Sequence, residues 1–168
     1  MARTINKKYV RKFINYVLLM IVIILGCMIA IKLHNIYKQN KLSTSVLSRT
    51  IGSINYDDIN NTIGELTSDD YIIISYVKSD ETRKIETELK KVIVNNNIQN
   101  NTYYLDITDK MLEDNYLDEL NKRFNIKNDK IHSVPAILCY KDGKLFKIID
   151  SRKIAEDFED TIKSESID

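Results

Sequence analysis

Residues 133–149, SVPAILCYKDGKLFKII, decide how the C-terminal half of this 168-residue chain folds. Pro135 is its sole proline and stands directly before the apolar run 136–140. Because proline has no N–H for a sheet ladder, it must lie at the start of that strand or at a sheet edge. Asp142-Gly143 supplies the positive φ of a tight hairpin, so residues 145–149 are predicted to return as the antiparallel partner strand.

Upstream of this hairpin, the hydrophobic period alternates between strands and helices. Residues 71–77, YIIISYV, form a β-branched apolar run that is typical of a strand buried on both faces. The other predicted strands are 54–56 and 102–106, and the predicted helices are 57–66, 81–94, 117–124 and 152–163. The order βαβαβαββα predicts an α/β domain of three layers, with helices on both faces of a largely parallel sheet.

Residues 13–31, FINYVLLMIVIILGCMIAI, carry no charge, and Asn15 is their one strongly polar side chain. A helix of that length spans ~28 Å, close to the ~30 Å hydrocarbon core of a bilayer. A buried helix of a soluble protein would carry a polar stripe, which is missing here. The sequence therefore predicts a transmembrane helix, whose partner is the lipid bilayer.

The basic residues Arg3, Lys7, Lys8, Arg11 and Lys12 crowd the N-terminal flank of this segment. By the positive-inside rule, the dense basic flank stays in the cytoplasm and the C-terminal domain lies outside. The predicted organisation is a cytoplasmic basic tail (1–12), a transmembrane helix (13–33), a polar stalk (34–53) and a folded domain (54–168).

The apolar segment is expected to stay uncleaved, as a signal-anchor, because no small-x-small cleavage site follows it. The alternative is a lipoprotein box at Ile24-Leu25-Gly26-Cys27, in which Cys27 would be acylated. The leucine before the glycine and the apolar residues 28–31 after the cysteine favour an ordinary membrane residue instead.

The charges of the chain exclude one class of partner. No acidic residue precedes Asp57, and the sequence from Asp57 onward holds all 24 acidic residues against 16 of the 25 basic ones, a net of −8. A nucleic-acid-binding protein concentrates basic residues on its folded domain, and this chain does the reverse. We therefore expect no nucleic-acid partner.

The Val134-Pro135 strand, the Asp142-Gly143 turn and the element order over residues 54–163 together resemble a thioredoxin-like domain. The resemblance implies a cis peptide bond at Pro135, beside the site where thioredoxins bind substrate. In those proteins the buried strand runs into Cys-x-x-Cys at the start of the next helix, where the helix N-terminus lowers the pKa of the first thiol. Aligned on strand and helix, the degenerate Cys-x-x-Cys positions here are Glu81 and Lys84.

Without a thiol pair, this domain is expected to lack dithiol–disulfide exchange and not to be an enzyme. Cys139 lies in mid-strand and is predicted to be a buried core residue. His132 is predicted to be a polar loop residue, and no His, Cys, Asp or Glu set has metal-ligand spacing. The sequence therefore predicts no catalytic residue, no cofactor and no metal.

The resemblance also implies a candidate peptide-binding edge at Val134 and Pro135. Peptide binding at such an edge requires exposed backbone groups and no thiols. The function predicted from the sequence is a redox-inactive, membrane-tethered domain of the bacterial cell envelope that binds a protein or peptide. It is similar to the bacteriocin-transport-accessory type of thioredoxin-like protein. The alternatives are a membrane-bound thiol oxidoreductase working through Cys139 and a structural subunit of a membrane complex, such as one for peptide export.

Overall fold

The computed structural model describes residues 7–66 and 69–165 of the chain. The chain divides into two units, the first a helix and the second a domain that begins at Leu42. Helix α1 runs over Lys7–Leu42. Its stretch Val10–Leu42 is long and apolar enough to cross a membrane, and none of its most apolar part is buried inside the protein.

Helix α1 contains the predicted transmembrane segment and part of the predicted cytoplasmic tail. Residues 1–6 of the tail lie outside the described residues, and the rest of the tail belongs to the helix. The uncharged residues 13–31 match the thickness of a bilayer core, whereas all 36 residues of the helix extend over ~54 Å. The helix therefore continues well beyond the apolar segment and includes residues 34–42, which were predicted as stalk.

The described part of the domain contains five strands and four α-helices in the order βαβαβαββα. The strands are β1 (Gly52–Ile54), β2 (Asp70–Ser75), β3 (Thr102–Asp106), β4 (Ala136–Lys141) and β5 (Lys144–Ile149). The helices are α2 (Ile59–Glu65), α3 (Asp80–Asn95), α4 (Tyr116–Arg123) and α5 (Ile154–Glu165). The predicted element order is therefore confirmed.

The sheet has the strand order β1-β3-β2-β4-β5. Strands β1, β3 and β2 are parallel, and β4 and β5 are antiparallel to their neighbours. Helices α3 and α5 cover one face of the sheet, and α2 and α4 cover the other. This is the three-layer α/β architecture that the sequence predicts.

Strand β2 lies in the middle of the sheet and is buried along its whole length. Tyr71 and Ile73 pack in the core under α3 and α5, whereas Ile72 and Ile74 pack in the core under α2 and α4. The strand ends at Ser75, two residues before the predicted end. Beyond it the backbone leaves the ladder, because the Val77 N–H donates to Thr108 Oγ1 at 2.8 Å.

The first strand lies two residues earlier than residues 54–56, where the sequence predicts it. Tyr56–Asp58 forms a turn of 3₁₀-helix before α2. The side chain of Asn55 accepts a hydrogen bond from the Asp57 N–H at 3.3 Å, so it caps this turn and ends the strand at Ile54.

The second half of the predicted stalk is part of the domain rather than a polar linker. Leu47 is fully buried, and Leu47 and Ile51 belong to the core under α3 and α5. Ser45 is buried as well. Residues 43–51, which we call the entry segment, therefore contribute to the core of the domain.

The entry segment is held by Glu86 of α3, which is only 2% exposed. Its carboxylate accepts hydrogen bonds from Ser45 Oγ at 2.8 Å and from the Val46 N–H at 2.9 Å. It also accepts from Ser75 Oγ at 2.9 Å and from Tyr104 Oη at 3.1 Å. Burial raises the pKa of Tyr104, so its phenol stays protonated and remains a donor.

We expect Glu86→Gln to destabilise the domain by roughly 1–3 kcal/mol, because the amide N–H₂ would face donors and leave buried groups unsatisfied. Urea unfolding of the full chain in detergent, followed by near-UV circular dichroism, measures the change. Hydrogen exchange in the entry segment should accelerate with it. The matched control is Glu88→Gln, at an exposed position of the same helix, which should stay within about 0.5 kcal/mol. Equal stability of the two variants would contradict the role of Glu86.

Candidate functional site

A cavity of about 470 Å³ lies where three segments of the domain meet. The first turn of α3 contributes Glu81 and Thr82, and the loop before β4 contributes Val134 and Pro135. The third wall is the junction between β5 and α5, which contributes Asp150, Ser151, Arg152 and Ile154. The cavity therefore contains the candidate peptide-binding residues predicted from the sequence, and it lies beside the start of α3.

The loop that carries Pro135 is fixed from the side of α4. Asn121 is buried, and its side chain donates to the Ile131 carbonyl at 3.1 Å and accepts from the Ile131 N–H at 2.8 Å. The same amide donates to the Leu117 carbonyl at 2.8 Å. A buried amide with three good partners holds its neighbours in one arrangement, so the loop is anchored four residues before Pro135.

The same loop is fixed a second time by Asp150, at the end of β5. The His132 N–H donates to Asp150 Oδ2 at 2.8 Å, and Ser133 Oγ donates to the Asp150 carbonyl at 2.9 Å. The Val134–Pro135 peptide bond that follows is cis. Sequence reasoning missed both Asn121 and Asp150, because neither residue stands in a recognisable motif.

The backbone of Val134 is not hydrogen-bonded to any of the residues that the structure describes. The ladder between β2 and β4 ends at the pair of Ile74 and Ala136. Continued in the same register, the ladder would pair Ser75 with Pro135 and then Tyr76 with Val134, but the chain leaves the sheet before these pairs form. The half-buried Val134 therefore offers an N–H donor and a C=O acceptor at the cavity.

Helix α3 begins with a capped first turn. Ser79 is the N-cap residue, with the extended dihedrals φ −122° and ψ 130°, and its Oγ accepts from the Thr82 N–H at 3.2 Å. Thr82 is 1% exposed, and its Oγ1 has no hydrogen-bond partner among the described residues. These two hydroxyls are three residues apart and occupy the very start of the helix.

The resemblance predicts the degenerate Cys-x-x-Cys positions at Glu81 and Lys84, and the pair Ser79 and Thr82 has the same spacing and lies at the very start of α3. Glu81 does line the cavity, on the exposed side of the first turn. Lys84 lies elsewhere, in a surface depression of α3 with Arg83 and Glu88. The resemblance implies a thiol pair at the start of the helix, and α3 starts at Asp80, one residue earlier than the sequence predicts.

Cys139 does not line this cavity. It is fully buried in β4, and burial raises the pKa of its thiol to about 12. Since the thiolate is the nucleophile, a thiol with that pKa is almost wholly unreactive at neutral pH. Cys139 and Cys27 are both free cysteines.

Metal ligands are not grouped in the described part of the chain. No cluster of three or more His, Cys, Asp or Glu side chains there could hold a metal ion. His132 is exposed, and its backbone N–H, rather than its ring, makes the contact with Asp150. What this site offers chemically is hydrogen bonding through hydroxyl and backbone groups, together with the charges of Glu81, Asp150 and Arg152.

Comparison with known proteins agrees with the architecture. No family model matches the sequence, and no curated protein matches it. Among solved structures, oxidised mitochondrial thioredoxin 3 from Saccharomyces cerevisiae superposes with a TM-score of 0.50 at 16% identity, over 70% of this chain and 98% of that chain. Thioredoxin from Trypanosoma brucei brucei superposes with a TM-score of 0.50 at 10% identity, over 70% of this chain and 92% of that chain. The domain therefore has a thioredoxin-like fold.

We expect the double variant Ser79→Cys/Thr82→Cys to form an intramolecular disulfide under mild oxidation. A disulfide needs Cβ atoms about 3.5–4.5 Å apart, and the N-cap side chain already folds back onto residue 82. Glu81→Cys/Lys84→Cys is the matched control, because i,i+3 Cβ atoms within a helix are about 5–6 Å apart. Mass spectrometry after alkylation measures both pairs. If only the Glu81→Cys/Lys84→Cys control formed a disulfide, the result would favour Glu81 and Lys84 as the positions equivalent to the thiol pair.

Proposed function

We propose that this chain is a membrane-tethered thioredoxin-like protein that binds an extended peptide and carries out no thiol chemistry. The observation that carries the proposal is the unpaired backbone of Val134 at a cavity whose helix start bears Ser79 and Thr82 in place of thiols. An extended peptide that pairs with an unused backbone gains main-chain hydrogen bonds, and neighbouring pockets select its side chains.

The hydroxyls at Ser79 and Thr82 support binding over redox chemistry for a chemical reason. Disulfide exchange begins with a thiolate that attacks a disulfide sulfur, and a hydroxyl cannot replace it. The oxidoreductase alternative would have to use Cys139, whose thiol is buried and has its pKa raised to about 12. A thiol that reaches neither solvent nor the cavity gives that alternative no support.

The tether is proposed from α1, whose stretch Val10–Leu42 could cross a membrane. The basic residues of the N-terminal flank favour a cytoplasmic N-terminus, with the thioredoxin-like domain on the outer side of a bacterial cytoplasmic membrane. In that location the domain would act as an accessory that receives exported or envelope peptides. A structural subunit of a membrane complex is the other role compatible with such an anchor.

The peptide-binding proposal is tested by panning a random octapeptide display library on the full chain in nanodiscs. Selected peptides are then synthesised with and without N-methyl groups on alternate backbone amides. We expect the N-methylated forms to bind at least tenfold more weakly, because strand addition depends on peptide N–H groups. Empty nanodiscs serve as the control. Recovery of no binders, or equal binding of both forms, would reject the proposal.

The membrane proposal predicts that the full chain stays in the membrane pellet after alkaline carbonate extraction. Alkaline phosphatase fused after Asp168 should then be active, since that enzyme needs an extracytoplasmic environment to form its disulfides. A fusion of the same reporter to residues 43–168 without α1 is the control and should be inactive. Release by carbonate would disprove the anchor, and an inactive full-length fusion would reverse the topology.

A further inference from the structure

We propose that the peptide bound beside Pro135 carries a positively charged side chain, lysine or arginine, which Glu81 and Asp150 recognise. This inference rests on the proposed peptide-binding function and specifies its ligand. The two carboxylates come from different walls of one cavity, Glu81 from the first turn of α3 and Asp150 from the end of β5. The unpaired backbone of Val134 belongs to the same cavity.

Neither carboxylate has a cationic partner in the described part of the protein. Among the described residues, Glu81 and Asp150 belong to no ion pair. Asp150 uses Oδ2 for the His132 N–H, and its other carboxylate oxygen takes part in no hydrogen bond or ion pair among the described residues. A carboxylate next to an apolar wall and a peptide-binding backbone attracts an ammonium or guanidinium group.

The apolar part of the wall suits the stem of such a side chain. Ile85, Val134 and Ile154 line the cavity together with the two acids. Lysine and arginine lay their methylene groups along apolar surface while the charged end reaches an acid. An acidic ligand would instead be repelled by the two carboxylates, and a purely apolar ligand would offer them no cation. The net charge of −8 from Asp57 onward favours the approach of cationic peptides in the same sense.

Arg152 also lines the cavity, and its charge opposes the two acids. It is exposed and lies at the junction that precedes α5, so the wall carries one cation against two anions. Substitution of Arg152 is therefore a second, independent test, in which the expected change in affinity has the opposite direction. Neutralising Arg152 should strengthen the binding of a cationic peptide, whereas neutralising Glu81 should weaken it.

The test pans the random octapeptide library on the full chain in nanodiscs, in parallel for the wild type, Glu81→Gln/Asp150→Asn and Glu88→Gln. The Asp150→Asn substitution keeps a side-chain oxygen for the His132 N–H, so the Pro135 loop retains its contact. Glu88→Gln removes one charge from α3 outside the cavity and is the matched control. We expect lysine and arginine to be enriched among wild-type and Glu88→Gln binders and not among those of the double variant.

Selected peptides then give affinities by fluorescence anisotropy, with their lysine kept or replaced by glutamine. Glu81→Gln should weaken the binding of the lysine peptide about fivefold, because an exposed ion pair contributes up to ~1 kcal/mol. The affinity for the glutamine peptide should stay unchanged. Arg152→Gln should strengthen the binding of the lysine peptide by a similar factor, and 0.5 M salt should reduce the effects of both substitutions.

The outcomes separate the two proposals. Binders without enriched lysine or arginine would overturn the cationic ligand and leave peptide binding intact. Enrichment that persists in Glu81→Gln/Asp150→Asn would also overturn it, because the charge would then be recognised elsewhere. Recovery of no binders at all would reject the peptide-binding function itself, and the cationic ligand with it.

Discussion

The carboxylate of Glu86 connects four parts of the domain that are distant in sequence. It accepts hydrogen bonds from the entry segment, from Ser75 at the end of β2 and from Tyr104 in β3, while Glu86 itself belongs to α3. A charge removed from water is costly unless each of its lone pairs finds a donor, so these donors must hold their positions for the carboxylate to remain buried. The entry segment, β2, β3 and α3 therefore stabilise one another through this carboxylate.

This constraint also determines the geometry of the candidate site. Ser75 is the last residue of β2, and Ser79 caps α3, so only the turn 76–78 separates the Glu86 contact from the start of the helix. Lys78 in that turn has a positive φ of 70°, and its N–H donates to the Leu42 carbonyl at 2.8 Å. The position of the Ser79 and Thr82 hydroxyls beside the cavity thus depends on contacts that are made outside the cavity.

Local signals in the sequence predict the fold, and long-range contacts decide where the prediction departs from the structure. Pro135 and Asp142-Gly143 mark the hairpin without help from the rest of the chain, and the apolar run of β2 identifies its central strand. The entry segment reads as a polar linker, because its burial depends on a glutamate 40 residues away. The start of α3 at Asp80, rather than at the predicted Glu81, likewise follows a turn that is held by a distant group, the Leu42 carbonyl. Lys78 in that turn has a left-handed backbone conformation, which no local signal in the sequence predicts.

The contacts that hold the Pro135 loop do not involve the start of α3. Asn121 and Asp150 position Ile131, His132 and Ser133, and neither of them touches residue 79 or 82 in any hydrogen bond of the described chain. The hydrogen bonds that position the loop before Val134 therefore do not depend on which side chains stand at positions 79 and 82. The loop beside Val134 and the start of α3 are thus held by separate sets of hydrogen bonds, so a change of side chain in one leaves the hydrogen bonds of the other in place.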